Sequence, residues 1–152
     1  MRIASRKSND GIKPHVLVDS GPLIALFDRD DAHHQKVMKF MKTFRGSLVT
    51  TWPVLTEVMY MLDFHPQVPV DFLRWVDDGG VILYQLETEH LARIRELHET
   101  YRDLPSDLAD VSLIAASEFA GIDKILSIDS DFSVYRTIKG LHLENVLLTQ
   151  RP

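Results

Sequence analysis

From residue 15 onward, short apolar runs of strand length alternate with longer segments of helical periodicity, and this alternation constrains the chain more than any other feature. The runs at 15–18 (HVLV), 48–51, 81–86 (VILYQL), 124–128 and 146–148 are β-prone and too brief for helices. Between them lie predicted helices at 20–26, opened by Gly21 and Pro22, and at 32–44, where Val37, Phe40, Met41 and Phe44 recur at spacings of three and four. Further helices are predicted at 53–62 after Pro53, at 70–76 beyond Pro66 and Pro69, and at 87–101, with Leu91, Ile94 and Leu97 on the inner stripe. The segment 107–119, with Ser106 as the expected N-cap and Gly121 as the stop, is apolar almost all round and belongs at the centre. Strands alternating with helices predict one α/β domain: a central parallel sheet of about five short strands flanked by helices on both faces.

The domain is expected over residues 15–152, with residues 1–14 as a flexible polar arm. That arm carries basic charge but no apolar stretch of the kind a secretory signal needs. No run approaches the ~18–20 apolar residues of a membrane span, so a cytoplasmic protein with no membrane partner is expected. There are no cysteines, which excludes disulfides, thiolate zinc sites, iron–sulfur clusters and a cysteine nucleophile. Seventeen basic residues against 22 acidic ones leave a net charge of −5. This balance argues against gripping nucleic acid by bulk positive charge. It leaves open a nucleic acid held through a metal ion, because such a site is built from carboxylates.

Several of the acids fall where an open parallel sheet binds ligands, at the carboxyl ends of its strands. Asp19 follows the first strand and Asp129 the fourth. Helices in such a sheet run against the strands, so their N-termini lie along the same edge. Glu57 lies early in its helix, and Asp107 and Asp110, three apart, share a helix face in their first turns. Four segments thus deliver carboxylates to one rim. Converging carboxylates repel unless a cation lies among them, and oxygen-only ligands select hard ions, Mg²⁺ or Mn²⁺. For any one acid alone, service as a helix cap or dipole partner is the simpler explanation. For the set it is weaker, since Asp19 and Asp129 follow strands.

The stretches VDSGPLIALFDRDDAHH, TEVMYML, SDLADVSLIAASEFAG and ILSIDSDFSVYR, in this order, resemble the PIN-domain ribonucleases, and most closely the VapC-like toxins of type II toxin–antitoxin systems. The likeness covers about residues 15 to 148. It implies four catalytic, metal-binding acids at Asp19, Glu57, Asp110 and Asp129, with Asp107 and Asp131 as auxiliary ligands. It implies a Mg²⁺- or Mn²⁺-dependent endoribonuclease that hydrolyses RNA phosphodiester bonds by metal-activated water. Ser20 and Ser127 resemble the small hydroxyl residues flanking the family's acids, and Arg136 is a candidate phosphate or partner contact. A cognate antitoxin and a homodimer formed by helices of the first half are also implied.

Two other functions are weighed against this. One is a non-catalytic PIN-like binding module. The other is a haloacid-dehalogenase-like phosphatase using Asp129 of the DSD stretch, disfavoured because that family places its nucleophile after the first strand. His33 and His34 are adjacent, about 100° apart on a helix, and suit one ion poorly, so they are expected at exposed or helix-end contacts. Asp28, Asp30 and Asp31 lack the glycine and glutamate of a calcium loop. Lys36, Lys39, Lys42 and Arg45 drift around their helix and are expected to form a solvated face.

Overall fold

The structure is a computed structural model that describes residues 13–129 and 131–149, with only the backbone of Asp131. Residues 1–12 of the expected arm and the side chain of Asp131 lie outside the described residues. Five parallel strands form one sheet: β1 (His15–Val18), β2 (Ser47–Thr50), β3 (Ile82–Leu83), β4 (Lys124–Leu126) and β5 (Glu144–Asn145), in the order β3-β2-β1-β4-β5. Six helices flank it: α1 (Ser20–Phe27), α2 (His34–Thr43), α3 (Trp52–Met61), α4 (Gln67–Asp77), α5 (Leu91–Thr100) and α6 (Leu108–Ala120). The expected α/β architecture is therefore present.

The register shows how the sheet places its functional edge. Leu17 pairs with Val49 on one side and with Ile125 on the other, so β1 is central, and Val16, Leu17 and Val18 are buried. The chain builds outward from β1 through β2 to β3, then crosses back to lay β4 on the opposite side of β1. The direction of winding reverses between β1 and β4, and that crevice is where open α/β sheets bind ligands. Helix α6 makes the return. Val111 through Ser117 are all buried, and Gly121 ends the helix at φ 70°, a left-handed turn that glycine adopts without strain.

Several local expectations shift by a few residues for identifiable reasons. Helix α4 starts at Gln67, so Pro69 lies inside it rather than before it; first-turn N–H groups have no intrahelical partner, and a proline there loses nothing. Ser106 is not the cap of α6. Its hydroxyl donates to the Tyr101 carbonyl at 3.3 Å, while Asp107 caps the helix by accepting from the Asp110 N–H at 2.9 Å. The apolar run 81–86 contributes only two residues to the ladder, because β3 is an edge strand and the chain soon turns away. The last strand forms at Glu144–Asn145, not 146–148: the buried leucines 143 and 147 flank the ladder instead of making it.

Candidate active site

Asp19 leaves the end of β1 and becomes the N-cap of α1. Its Oδ1 accepts from the Ser20 N–H at 2.8 Å, its Oδ2 accepts from the Ser127 hydroxyl at 3.3 Å, and its own N–H donates to the Leu126 carbonyl at 3.1 Å. The carboxylate is thus clamped between the ends of β1 and β4, only 4% exposed. Burial, then the charges of Glu57 and Asp129, push its pKa up to about 6, despite the hydrogen bonds from Ser20 and Ser127 that oppose this.

Asp110 stands in the first turn of α6, its N–H held by the Asp107 cap and its Oδ2 accepting from the Tyr135 hydroxyl at 3.1 Å. Burial again comes first, followed by the charges of Asp19 and Asp107. With a smaller contribution from Glu57, these raise its pKa to about 7, while the tyrosine bond pulls the other way. The mutual fields connect Asp19, Glu57, Asp107, Asp110 and Asp129 into one electrostatic group drawn from the ends of β1 and β4, the middle of α3 and the start of α6. Among the described residues none of the five forms an ion pair with a basic side chain.

Two residues that sequence reasoning passed over build this arrangement. Tyr135 is buried, edge-on to both Tyr101 and Phe132, and it holds Asp110 across 25 positions of sequence. Its neighbour Arg136 is the residue the sequence offers as a phosphate or partner contact. The signal for Tyr135 was an aromatic in the same stretch, just past the fourth acid. Asn145 donates to the Ser127 carbonyl at 2.9 Å and accepts from the Leu147 N–H at 3.1 Å, tying β5 to the turn after β4. A lone polar residue next to a predicted strand was its signal.

Ser127 is wholly buried. Its hydroxyl bonds Asp19 and accepts from the Asp129 N–H at 3.2 Å, so it lies beneath the carboxylates. Ser20 is likewise buried, with its backbone amide on Asp19. Arg136 is exposed, its N–H on the Tyr101 hydroxyl at 2.8 Å and its guanidinium against His142. His33 and His34 open α2: the His33 N–H donates to Asp31 at 2.7 Å and the His34 ring meets the Ala25 carbonyl at 2.6 Å. Lys36, Lys39, Lys42 and Arg45 are all exposed.

The donors are all carboxylate oxygen, which suits Mg²⁺ or Mn²⁺. Among the described residues no three His, Asp or Glu side chains already form a cage around one point. The fit is to a hydrated hard cation that takes one or two carboxylates and completes its shell with water and substrate phosphate.

The PIN-domain family model matches residues 16–137, and the chain belongs to that family. No curated protein sequence matches it. Among solved structures, VapC20 of Mycobacterium tuberculosis, described as a sarcin-ricin loop cleaving toxin, superposes with a TM-score of 0.73 at 19% identity, over 78% of this chain and 93% of that one. A chain of VapBC2 from Rickettsia felis, solved bound to a DNA fragment from its promoter, superposes with a TM-score of 0.58 at 12% identity, over 86% of this chain and 98% of that one. At these identities the likeness is one of fold. Among the described residues no helix is long and apolar enough to cross a membrane.

Proposed function

We propose that the protein is a Mg²⁺- or Mn²⁺-dependent endoribonuclease, the toxin of a toxin–antitoxin pair, with Asp19, Glu57, Asp110 and Asp129 as metal ligands and Asp107 in support. The observation that carries this reading is the group of carboxylates at the β1/β4 reversal, mutually repelling and, among the described residues, without a basic partner. The metal supplies charge neutralisation, activation of water and stabilisation of the leaving oxygen.

The chain's own residues hold and orient. The Ser20 N–H and the Ser127 hydroxyl fix both oxygens of Asp19. Tyr135 and the Asp107 cap fix Asp110, and Ser127 carries the Asp129 backbone. Raised pKa values leave Asp19 and Asp110 partly protonated near neutrality, and a bound cation would favour their ionised forms.

The toxin reading is supported by family membership and by the fold shared with VapC20 and a VapBC2 chain. A cognate antitoxin is the partner it entails, and an RNA target places the protein in the cytoplasm. Exposed Tyr60, Met61, Phe64 and Leu73 on and around α3 and α4 supply an apolar surface for the homodimer. The test is cleavage of RNA with Mg²⁺ or Mn²⁺ by wild type, Asp19→Asn and Asp110→Asn. Metal-dependent cleavage lost in both variants is expected, and undiminished cleavage by them refutes the assignment.

A further inference from the structure

A groove of about 280 Å³ opens at the same edge of the sheet as the acids, between the start of α3, the segment after β3 and the first turns of α5 and α6. Its walls include Trp52, Tyr84, Leu86, Leu91, Ile94 and Leu108. Trp52 is 56% exposed, whereas Trp75, the only other tryptophan, packs against Phe27 and Phe72. Leaving an indole in water forgoes a large apolar burial, and apolar patches of this kind mark binding surfaces. Thr51 and Ser112 also line the groove, but their hydroxyls bond each other at 2.6 Å and both residues are wholly buried. Glu87 is the sole charged lining residue, and its carboxylate is engaged in a capping box with His90. The groove therefore offers aromatic and aliphatic surface with little unmet polarity, at the small end of ligand-site volumes.

The same helices build groove and acids. Trp52 is the first residue of α3, which carries Glu57 five positions on, and Leu108 sits between Asp107 and Asp110 in the opening turn of α6. We infer that this groove receives an unstacked base of the RNA strand whose backbone lies at the carboxylate rim, with Trp52 as its stacking platform. The inference rests on the ribonuclease reading. A chain of net charge −5 has no bulk positive grip on phosphates, so beyond the proposed metal contact at the rim its hold on RNA falls to the neutral base faces. Single-stranded RNA is read in just this way, by unstacked bases on aromatic rings, and every base presents a π-face.

Trp52→Ala and Trp52→Phe are assayed with Mn²⁺ on a single-stranded RNA cut by the wild type, intact and with the base removed in turn at each nucleotide flanking the cut. Trp52→Ala is expected to lower kcat/KM on intact RNA by about 10–100-fold, chiefly through KM, and Trp52→Phe to restore most of it. At one abasic position wild type and Trp52→Ala become equal. Equal cleavage of intact RNA by wild type and Trp52→Ala overturns the inference. So does a Trp52→Ala protein that cleaves normally and loses only antitoxin binding, which makes the groove an anchor for a protein side chain. If the wild type cuts no RNA, the ribonuclease reading fails separately. The base site is then decided by tryptophan emission of Trp75→Phe titrated with a short single-stranded RNA of mixed sequence: saturable quenching retains it, and unchanged emission overturns it.

Discussion

Two partly buried charged sites in this domain are built on opposite principles. On the flank of α6, Glu118 is 7% exposed at its side chain and is met by Arg93 of α5 through two bonds of 2.8 Å; the Ile138 N–H adds a third, also 2.8 Å. Charge is matched there, and the Arg93 guanidinium is held more firmly protonated by Glu118. At the first turn of the same helix, Asp110 shares its surroundings with like charges, and its carboxylate accepts from the Tyr135 hydroxyl, a neutral donor. The chain evidently can supply an arginine to a buried carboxylate. It does so at Glu118, whereas among the described residues no basic side chain pairs with the rim acids, and this separates an interaction serving the fold from the uncompensated group on which the proposed metal site rests.

The largest expected contrast is in activity. Asp110→Asn should reduce RNA cleavage by more than about 100-fold while leaving the fold intact, since outer partners of metal ligands alone account for 10–100-fold. Arg93→Ala should do the reverse, with cleavage retained in the folded protein. Next is stability against pH without metal. A carboxyl whose folded pKa lies above its unfolded value binds more protons when folded, so stability falls as pH rises from about 4 to about 7 and returns on acidification. Asp19 alone contributes about 3 kcal/mol to that loss. Urea titrations with chelator at pH 4 and pH 8 measure most of it, the Asp19→Asn, Asp110→Asn double variant should flatten the profile, and Mn²⁺ should protect the wild type mainly at pH 8.

Smaller effects sharpen the comparison. Arg93→Ala leaves Glu118 without its cation and is expected to cost about 2–3 kcal/mol in urea unfolding, below a fully buried pair because Arg93 is partly exposed. Tyr135→Phe removes one bond to Asp110 and should lower kcat about 10-fold with little change in KM for RNA. Lys36→Ala and Lys39→Ala, on the exposed face of α2, should change cleavage less than twofold. A large effect there would add a phosphate contact to the rim.

Much of this site can be read from one chain because strand ends and helix starts leave marks. HVLV running into Asp19 and DLAD opening an apolar helix place two carboxylates on the ligand edge from topology alone. Sequence reading fails where a contact joins residues far apart through a loop. Tyr135 reaches Asp110 and Asn145 reaches Ser127 across 25 and 18 positions, and the path of the chain between them follows from tertiary packing. Similarly, Ser106 and Asp107 are both good capping residues, and only the turn holding Ser106 on Tyr101 decides between them. Pro69 misleads for the opposite reason: a strong local breaker does nothing in a first helical turn.

The near-complete burial of α6 has a consequence for motion. Val111 through Ser117 have no route to solvent short of taking the sheet apart, so their amides should exchange only through global opening. Asp110 stands at the threshold of that segment. Its backbone should therefore be among the last parts of the molecule to loosen.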